Sequence, residues 1–243
     1  MKRFSIFATT ILLFITVFSV NVTAKDLSIE KLKSMGFSDI EISGMDNIKR
    51  TVLLKIYDKY NGTAKVLSSE AQPSTLSGID DINVTIIGGN TGNSCMNGFT
   101  CKGITVMGGV DKGPLEFDQI KQVASGTAWS DNWNAINYSA EVHYGDYWGN
   151  PVYKSMSLIS AVPESGVSFA FSSVPSHIND IYTTVDVSLR RASGDTGTTD
   201  AVGVVGYTGK SMQISASVGY PPSVTFTPST DIYQKSHLTS FYY

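Results

Sequence analysis

From residue 82 onward the sequence changes to a period of two, and this feature limits the fold more than any other. Apolar and polar residues alternate strictly over 185–189 and over 212–218, which is typical of strands with one buried and one solvated face. Strand-like runs lie near 82–87, 103–107, 136–144, 152–160, 167–172, 182–190, 201–207, 211–218 and 223–227. Turns rich in Gly, Asn, Asp or Pro separate these runs, which favours antiparallel pairing. The sequence therefore predicts a mainly β fold over 82–243, an antiparallel β-sandwich or barrel-like domain.

Residues 25–66 carry the helical signal. Apolar residues recur at three-to-four spacing from 48 to 60, Asp46 suits the N-cap, and Asn61 with Gly62 forms a natural stop. A shorter helix is predicted around 29–35. This N-terminal segment either packs against the β-domain or is a pro-segment that is removed, and residues 67–81 are predicted to be a linker. A further short helix is predicted over 115–124, because Pro114 suits a helix start.

The first 24 residues have the three parts of a secretory signal peptide. Lys2 and Arg3 precede an apolar run over 4–20, and residues 22–24 match the small-x-Ala pattern of a cleavage site. The alternative is an uncleaved membrane anchor, but the run is shorter than the roughly 20 residues that span a bilayer. We expect cleavage near Ala24 and a mature protein that is secreted or periplasmic.

The charge of the chain argues against a nucleic-acid partner. The net charge is −3, and removal of the two positive charges of residues 1–24 leaves −5. Binding to phosphates needs clustered Lys and Arg, and the chain has no basic block. Charged residues make up 16% of the chain, against about 25% in an average domain. Ser, Thr, Asn, Gly and Tyr take their place, which is typical of extracellular β-proteins.

Two cysteines, Cys95 and Cys101, lie close together in a stretch rich in turn residues. In an oxidising compartment such a pair favours a disulfide. A redox pair and half of a metal site are the alternatives. However, the spacing is not Cys-x-x-Cys, and no other cysteine could complete a zinc site. The sequence therefore predicts a disulfide that fixes the shape of a short loop.

The densest unusual feature of the sequence is aromatic. All three tryptophans lie between residues 129 and 148, among tyrosines, asparagines and aspartates. A flat ring can stack on the apolar face of a sugar while Asp and Asn bond its hydroxyls, and the same rings suit a lipid headgroup region. Core packing is the alternative, because tryptophan is usually well buried. The predicted ligand-binding residues are Trp129, Asp131, Trp133, Tyr144, Asp146, Tyr147 and Trp148.

No motif assigns a catalytic residue. Glu141 and His143 would lie on one side of a strand with Asp146 in the next loop, but solvated strand residues have the same spacing as a metal or general-base site. Residues 206–211 resemble the end of a phosphate-binding loop, yet a strand pattern follows where that motif needs a helix. The sequence therefore predicts no cofactor and no metal ion, and it favours a binding protein over an enzyme.

Three classes of function remain. The first is a secreted or periplasmic binding protein for a carbohydrate or another cell-surface partner. The second is a pore-forming or membrane-active toxin in which strands 182–190 and 211–218 form a membrane hairpin, although their strictly alternating runs, 185–189 and 212–218, are shorter than the about nine to eleven residues needed. The third is a secreted hydrolase with a dispersed active site. The aromatic cluster favours the first class, and the sequence leaves the oligomeric state open.

Overall fold

The computed structural model describes residues 26–69, 82–91, 98–110, 120–130, 133–175, 178, 180–192, 197–208, 215–219, 222–227 and 233–242. Within these residues the chain forms two antiparallel sheets that enclose a shared apolar core, so the predicted β-sandwich is confirmed. No helix in the described part of the chain is long and apolar enough to cross a membrane.

The helices precede the strands in the chain. They are α1 over residues 26–35, α2 (Asp39–Gly44) and α3 (Asn47–Lys59). The strands are β1 (Lys65–Ser69), β2 (Ile82–Gly89), β3 (Phe99–Val110), β4 (Gln122–Trp129), β5 (Asn134–Gly145), β6 (Pro151–Ser155), β7 (Ser157–Val162), β8 (Gly166–Phe171), β9 (Ile181–Ala192), β10 (Thr198–Thr208), β11 (Ser215–Gly219), β12 (Ser223–Thr227) and β13 (Tyr233–Tyr242).

The strands form a six-stranded sheet, a five-stranded sheet and a separate hairpin. The six-stranded sheet has the order β1-β2-β3-β9-β5-β6, the five-stranded sheet has the order β13-β10-β4-β8-β7, and β11 pairs with β12. Residues 152–160, predicted as one strand, are the end of β6 and the start of β7, which belong to different sheets. The buried Met156 lies between them, and its N–H donates to the carbonyl of Ala140 at 3.0 Å. The chain therefore changes sheets at this corner of the sandwich.

The main core lies between the two sheets. Strand β9 contributes Val185, Val187 and Leu189 from its inward face, and β10 contributes Ala201 and Val205. These residues alternate with side chains that point out of the sandwich, as the pleat of a strand requires. The predicted alternation in 185–189 therefore marks a central strand, bonded to β3 on one side and to β5 on the other.

The helices cover the outer face of the six-stranded sheet. Val52, Leu53 and Ile56 of α3 share an apolar cluster with Met107 and Tyr182 of the sheet. The predicted start of α3 is confirmed, because the Asp46 carboxylate accepts the N–H of Lys49 at 2.8 Å. The predicted stop is confirmed as well, since Asn61 and Gly62 both have a positive φ and the Gly62 N–H donates to the carbonyl of Tyr57. The N-terminal segment is thus packed against the β-domain.

Two local predictions were wrong, and in both cases packing in the folded chain outweighs the local sequence signal. Residues 67–69 of the predicted linker belong to β1, which extends the sheet beside β2. Residues 122–124 of the predicted helix over 115–124 belong to β4, whose eight residues are all buried between β8 and β10; residues 111–119 lie outside the described part of the chain. The sequence analysis also missed α2 and β13.

The hairpin of β11 and β12, which we call the cover hairpin, lies on the outer face of the five-stranded sheet. Val224 and Phe226 share a small apolar cluster with Ala124, Ala128 and residues of β8 and β10. The molecule therefore has four layers, in the order helices, six-stranded sheet, five-stranded sheet and cover hairpin. Both sheets are covered on both faces, which explains why several strands are almost continuously buried.

The docking of α3 depends on two glycines that accept the ring of Tyr60. A Cβ atom at Gly103 would lie 2.1 Å from Cε1 of Tyr60, and one at Gly89 would lie 2.4 Å from its Cγ. The ring is fully buried, and its hydroxyl lies 2.9 Å from Oγ1 of Thr105. The ring therefore packs directly on the backbone of β2 and β3.

We expect Gly103→Ala to lower the free energy of unfolding by about 1–3 kcal/mol, because the added methyl group overpacks against a ring that has no room to move. Urea denaturation of the variant measures this loss. The matched control is Gly44→Ala, since nothing lies within 4 Å of a Cβ at that position. Equal stability of Gly103→Ala and the wild type would mean that Tyr60 does not occupy this site.

Candidate functional site

Among the residues that the structure describes, the most exposed aromatic side chains lie in residues 146–150, the turn between β5 and β6, which we call the aromatic turn. Asp146 holds this turn closed. Its Oδ1 accepts the N–H groups of Trp148 and Asn150 at 2.9 and 2.7 Å, and its Oδ2 accepts Nδ2 of Asn150 at 3.0 Å. The N–H of Gly149 donates to the Asp146 carbonyl, and Gly149 has φ +78°, a conformation that favours glycine. The turn is thus fixed by its own hydrogen bonds.

Tyr147 and Trp148 extend from the aromatic turn into solvent. Each side chain is 81% exposed, although large apolar side chains are usually buried. Their ring centroids are 5.3 Å apart at an interplanar angle of 87°, an edge-to-face pair. The two rings therefore support each other's orientation while their remaining faces are open to a ligand.

Asp146 acts as a positioning residue for the turn. The hydrogen bonds from the Asn150 side chain, then from the Asn150 and Trp148 backbone, lower the pKa of its carboxyl group. Both carboxylate oxygens are already engaged within the turn. The sequence analysis placed Asp146 among the ligand-binding residues, and a contact between Asp146 and a ligand remains a prediction. Its carboxylate, however, serves the turn itself.

The first turn of α3 and strand β6 border the aromatic turn. A Cβ atom at Gly145 would lie 3.1 Å from Cδ1 of Ile48, so the helix lies directly beside the start of the turn. Lys55 of α3 makes a cation–π contact with Tyr153 of β6, in which the ammonium nitrogen lies 3.2 Å from the centroid of the ring. Lys55 thus packs on β6 two register positions away from the pair Gly145 and Pro151 that closes the turn.

Trp129 and Trp133 do not join this surface. They are 1% and 0% exposed and lie in the core between the two sheets. The indole N–H of Trp129 donates to the carbonyl of Trp133 at 3.0 Å, and the Trp133 ring lies 6.3 Å from Phe241. The prediction that these two rings face outward is wrong, because the end of β4 passes directly beneath the opposite sheet.

Tyr144, another predicted site residue, does not join the exposed rings. Tyr144 is 7% exposed and belongs to the same core, and burial raises its pKa. The expectation that its ring lies at a surface is therefore wrong. Asp131 lies outside the described residues, as does Cys95, so the disulfide with Cys101 remains a prediction. The signal peptide and its cleavage site near Ala24 also lie outside the described part of the chain.

His143 lies on the opposite face of β5 from Tyr144, under α3, and is 2% exposed. Its Nε2 is 2.9 Å from Oγ1 of Thr184 and 3.8 Å from Oε2 of Glu141. Burial, and secondly the charge of Lys55, lower the pKa of the imidazole to about 4. The ring is therefore neutral at neutral pH, and its contact with Glu141 is not an ion pair there.

The burial of His143 argues against the hypothesis that Glu141, His143 and Asp146 form a metal or general-base site. A ring enclosed by a helix and a sheet has no path for a substrate, and the Asp146 oxygens are committed to the aromatic turn. In the described part of the chain, no group of three or more His, Cys, Asp or Glu residues could hold a metal ion. The geometry therefore gives these three residues no shared chemistry.

Two residues that organise the aromatic turn were absent from the predicted ligand-binding residues. Gly149 supplies the positive φ. The backbone N–H and the Nδ2 of Asn150 donate to the Asp146 carboxylate, and the Asn150 carbonyl accepts the Asp146 N–H. The sequence signal was present, because an Asp three residues before a Gly-Asn pair is typical of a tight polar turn. Their role in holding the turn closed follows from the hydrogen bonds of the folded turn.

Neither a known protein family nor a characterised protein matches the sequence. Among solved structures, a pore-forming protein has a TM-score of 0.37 at 6% identity and covers 73% of this chain and 89% of its own. A collagen-binding subdomain of the Enterococcus faecalis surface protein ACE has a TM-score of 0.32 at 6% identity, with coverage of 60% and 89%. A xylan-binding domain has a TM-score of 0.29 at 12% identity, with coverage of 55% and 85%. Similarities this low identify no relative, so the site must be judged on its own residues.

Proposed function

We propose that the protein is an exported, non-catalytic binding protein that recognises a glycan through the aromatic turn. The observation that carries this proposal is the pair of aromatic side chains, Tyr147 and Trp148, that are each 81% exposed on a turn with its own hydrogen-bond network. The two rings lie side by side and form one exposed aromatic patch, and contiguous exposed apolar patches are where proteins bind partners and ligands.

A glycan is the ligand that fits this surface best. The apolar face of a pyranose ring stacks on a flat aromatic ring, and Tyr147 adds a hydroxyl group that can bond a sugar hydroxyl. The edge-to-face geometry offers two surfaces at a large angle, which suits a chain of linked sugars better than a single flat molecule.

The closed turn also lowers the cost of binding. Because Asp146 already fixes the backbone of residues 146–150, little loop entropy remains to be lost when a ligand binds. A binding protein gains from this arrangement, and the Asp146 carboxylate on the turn is already engaged in three hydrogen bonds within it. The export that this function implies remains a prediction from residues 1–24.

We expect Trp148→Ala to weaken binding to a glycan array at least tenfold, because the ring supplies the largest stacking surface on the turn. The matched control is Leu158→Ala, which removes another exposed apolar side chain, on β7 in the other sheet. Tyr147→Phe keeps the second ring and tests its hydroxyl group separately. The proposal fails if the wild type binds no glycan, or if Trp148→Ala and Leu158→Ala bind equally well.

A further inference from the structure

The exposed rings of the aromatic turn lie beside a fixed negative charge. Oδ1 of Asp146 is 2.9 Å from the backbone nitrogen of Trp148, and Asp146 directly precedes Tyr147 in the chain. The hydrogen bonds from Asn150 and Trp148 lower the pKa of the Asp146 carboxyl group, so the group is ionised at neutral pH. Because both of its oxygens accept hydrogen bonds within the turn, the charge keeps one position.

This charge is not neutralised within the described part of the chain. The three donors to the carboxylate are two backbone N–H groups and the side-chain amide of Asn150, and all three are uncharged. Lysines of the helical layer form ion pairs with Asp58, Asp39 and Asp186. By contrast, no described Lys, Arg or His residue forms an ion pair with Asp146. A ligand on the two rings therefore meets an uncompensated carboxylate.

The cation that α3 places on the neighbouring strand is engaged elsewhere. The Lys55 ammonium group lies 3.2 Å from the centroid of the Tyr153 ring, two register positions from the pair Gly145 and Pro151. The negative face of the ring attracts the ammonium group and holds it there. Lys55 thus packs on β6 and is not a counter-ion of Asp146.

We propose that the ligand of the aromatic turn is a neutral glycan, and that the Asp146 carboxylate excludes anionic sugars, which carry a carboxylate, sulfate or phosphate group. This inference rests on the proposed glycan function and narrows it to one class of sugar. The turn is only five residues long, so a sugar stacked on Tyr147 or Trp148 has its substituents close to Asp146. A neutral sugar pays no electrostatic cost there, whereas an anionic one is repelled.

Coulomb repulsion sets the size of the expected discrimination. Two like charges about 6 Å apart weaken binding about threefold in bulk water, and about tenfold where the effective dielectric constant is half as large. Dissolved salt screens this repulsion, with a Debye length of about 30 Å at 0.01 M and about 3 Å at 1 M. The discrimination should therefore be largest at low salt and should disappear at high salt.

Binding to matched glycans tests the inference. The probe is an array that carries neutral oligosaccharides beside their sialylated and sulfated forms, read at about 0.01 M and about 1 M sodium chloride. We expect the acidic form of each bound glycan to bind about three- to tenfold more weakly at low salt, and equally at high salt. Equal or tighter binding of the acidic forms at low salt would overturn the inference and leave the proposed function intact. If no glycan of either kind binds, the proposed function fails and the inference fails with it.

The variant Asp146→Asn tests the carboxylate itself. It removes the charge, but its amide group would face Nδ2 of Asn150, so the bond between the two side chains is lost as well. The matched control is Asn150→Ala, which loses the same bond and keeps the charge. We expect neutral and acidic forms to bind equally to Asp146→Asn, and Asn150→Ala to discriminate as the wild type does. The same discrimination in both variants would contradict the role of the charge.

Quenching of tryptophan fluorescence measures this charge without any glycan. Trp129 and Trp133 are buried and Trp148 is exposed, so a quencher in water reaches Trp148. At low salt we expect iodide to quench Asp146→Asn about two- to threefold more strongly than the wild type and Asn150→Ala, because the anion is no longer repelled. Acrylamide, which is uncharged, should quench all three proteins alike. Equal iodide quenching of the three proteins would overturn the inference even if neutral glycans bind.

Discussion

Replacement of Trp129 by alanine is expected to lower the free energy of unfolding by about 3–5 kcal/mol, the usual cost of removing a buried indole ring. Trp129 is 1% exposed between the two sheets, and its N–H bonds the carbonyl of Trp133 at 3.0 Å. The variant would lose both the packing of the ring and this hydrogen bond. Urea denaturation followed by circular dichroism measures the change.

The matched control for Trp129→Ala is Trp148→Ala. The second substitution removes the same side chain from a position that is 81% exposed, so we expect a change within about 0.5 kcal/mol. The two variants should therefore affect different properties: Trp129→Ala lowers the free energy of unfolding, and Trp148→Ala weakens ligand binding. If Trp129→Ala were as stable as Trp148→Ala, the ring would not be part of the core.

The second large effect is a loss of stability in acid that depends on His143. The pKa of this imidazole falls from about 6.5 in the unfolded chain to about 4 in the folded chain. Burial deprives the protonated ring of water and so disfavours the charged form, and the positive charge of Lys55 disfavours it further. Between these values the unfolded chain binds the proton and the folded chain does not. The stabilisation is therefore complete above pH 6.5 and is lost as the pH falls to 4, by about 3 kcal/mol in total.

The measurement is the urea midpoint of the wild type and of His143→Gln from pH 7 to pH 4, since glutamine keeps a polar group near Thr184 but does not titrate in this range. Lowered carboxyl pKa values at Glu41 and Asp146 also favour the fold at higher pH, and both variants share them. The difference between the two curves isolates His143. An NMR titration of His143 with a midpoint near 6.5, or parallel curves for the two proteins, would contradict the prediction.

The strands could be predicted wherever one face is buried and the other exposed. The run 223–227 coincides with β12, in which Val224 and Phe226 alternate with Ser and Thr, and 182–190 lies within β9. Strand β4 was missed because both of its faces are covered, so its sequence of small and polar residues has no alternation. β4 could not be predicted from its sequence because its burial on both faces depends on the four-layer architecture, which a local sequence pattern does not report.

The candidate site could be predicted only in part, because exposure depends on distant parts of the chain. Trp129 and Trp148 have similar neighbours in sequence, namely Asp, Asn and Gly. Trp129 is buried by the opposite sheet and Trp148 is not, and nothing within ten residues of either side chain encodes that difference. By contrast, the polar turn around Asp146 is a local feature, and its sequence indicates a loop correctly.

The helical layer has a consequence for how this protein can be processed. Ile87, Met107 and Tyr182 form the floor on which the helices rest, and Ala64 ends the helical layer just before β1 begins. Proteolytic cleavage after Ala64 would allow the helices to dissociate from the sandwich, and the apolar outer face of the six-stranded sheet would then be exposed to water. The cleaved product is expected to aggregate, because a large exposed apolar surface is an aggregation liability, so the sandwich depends on residues 26–64 to cover this face.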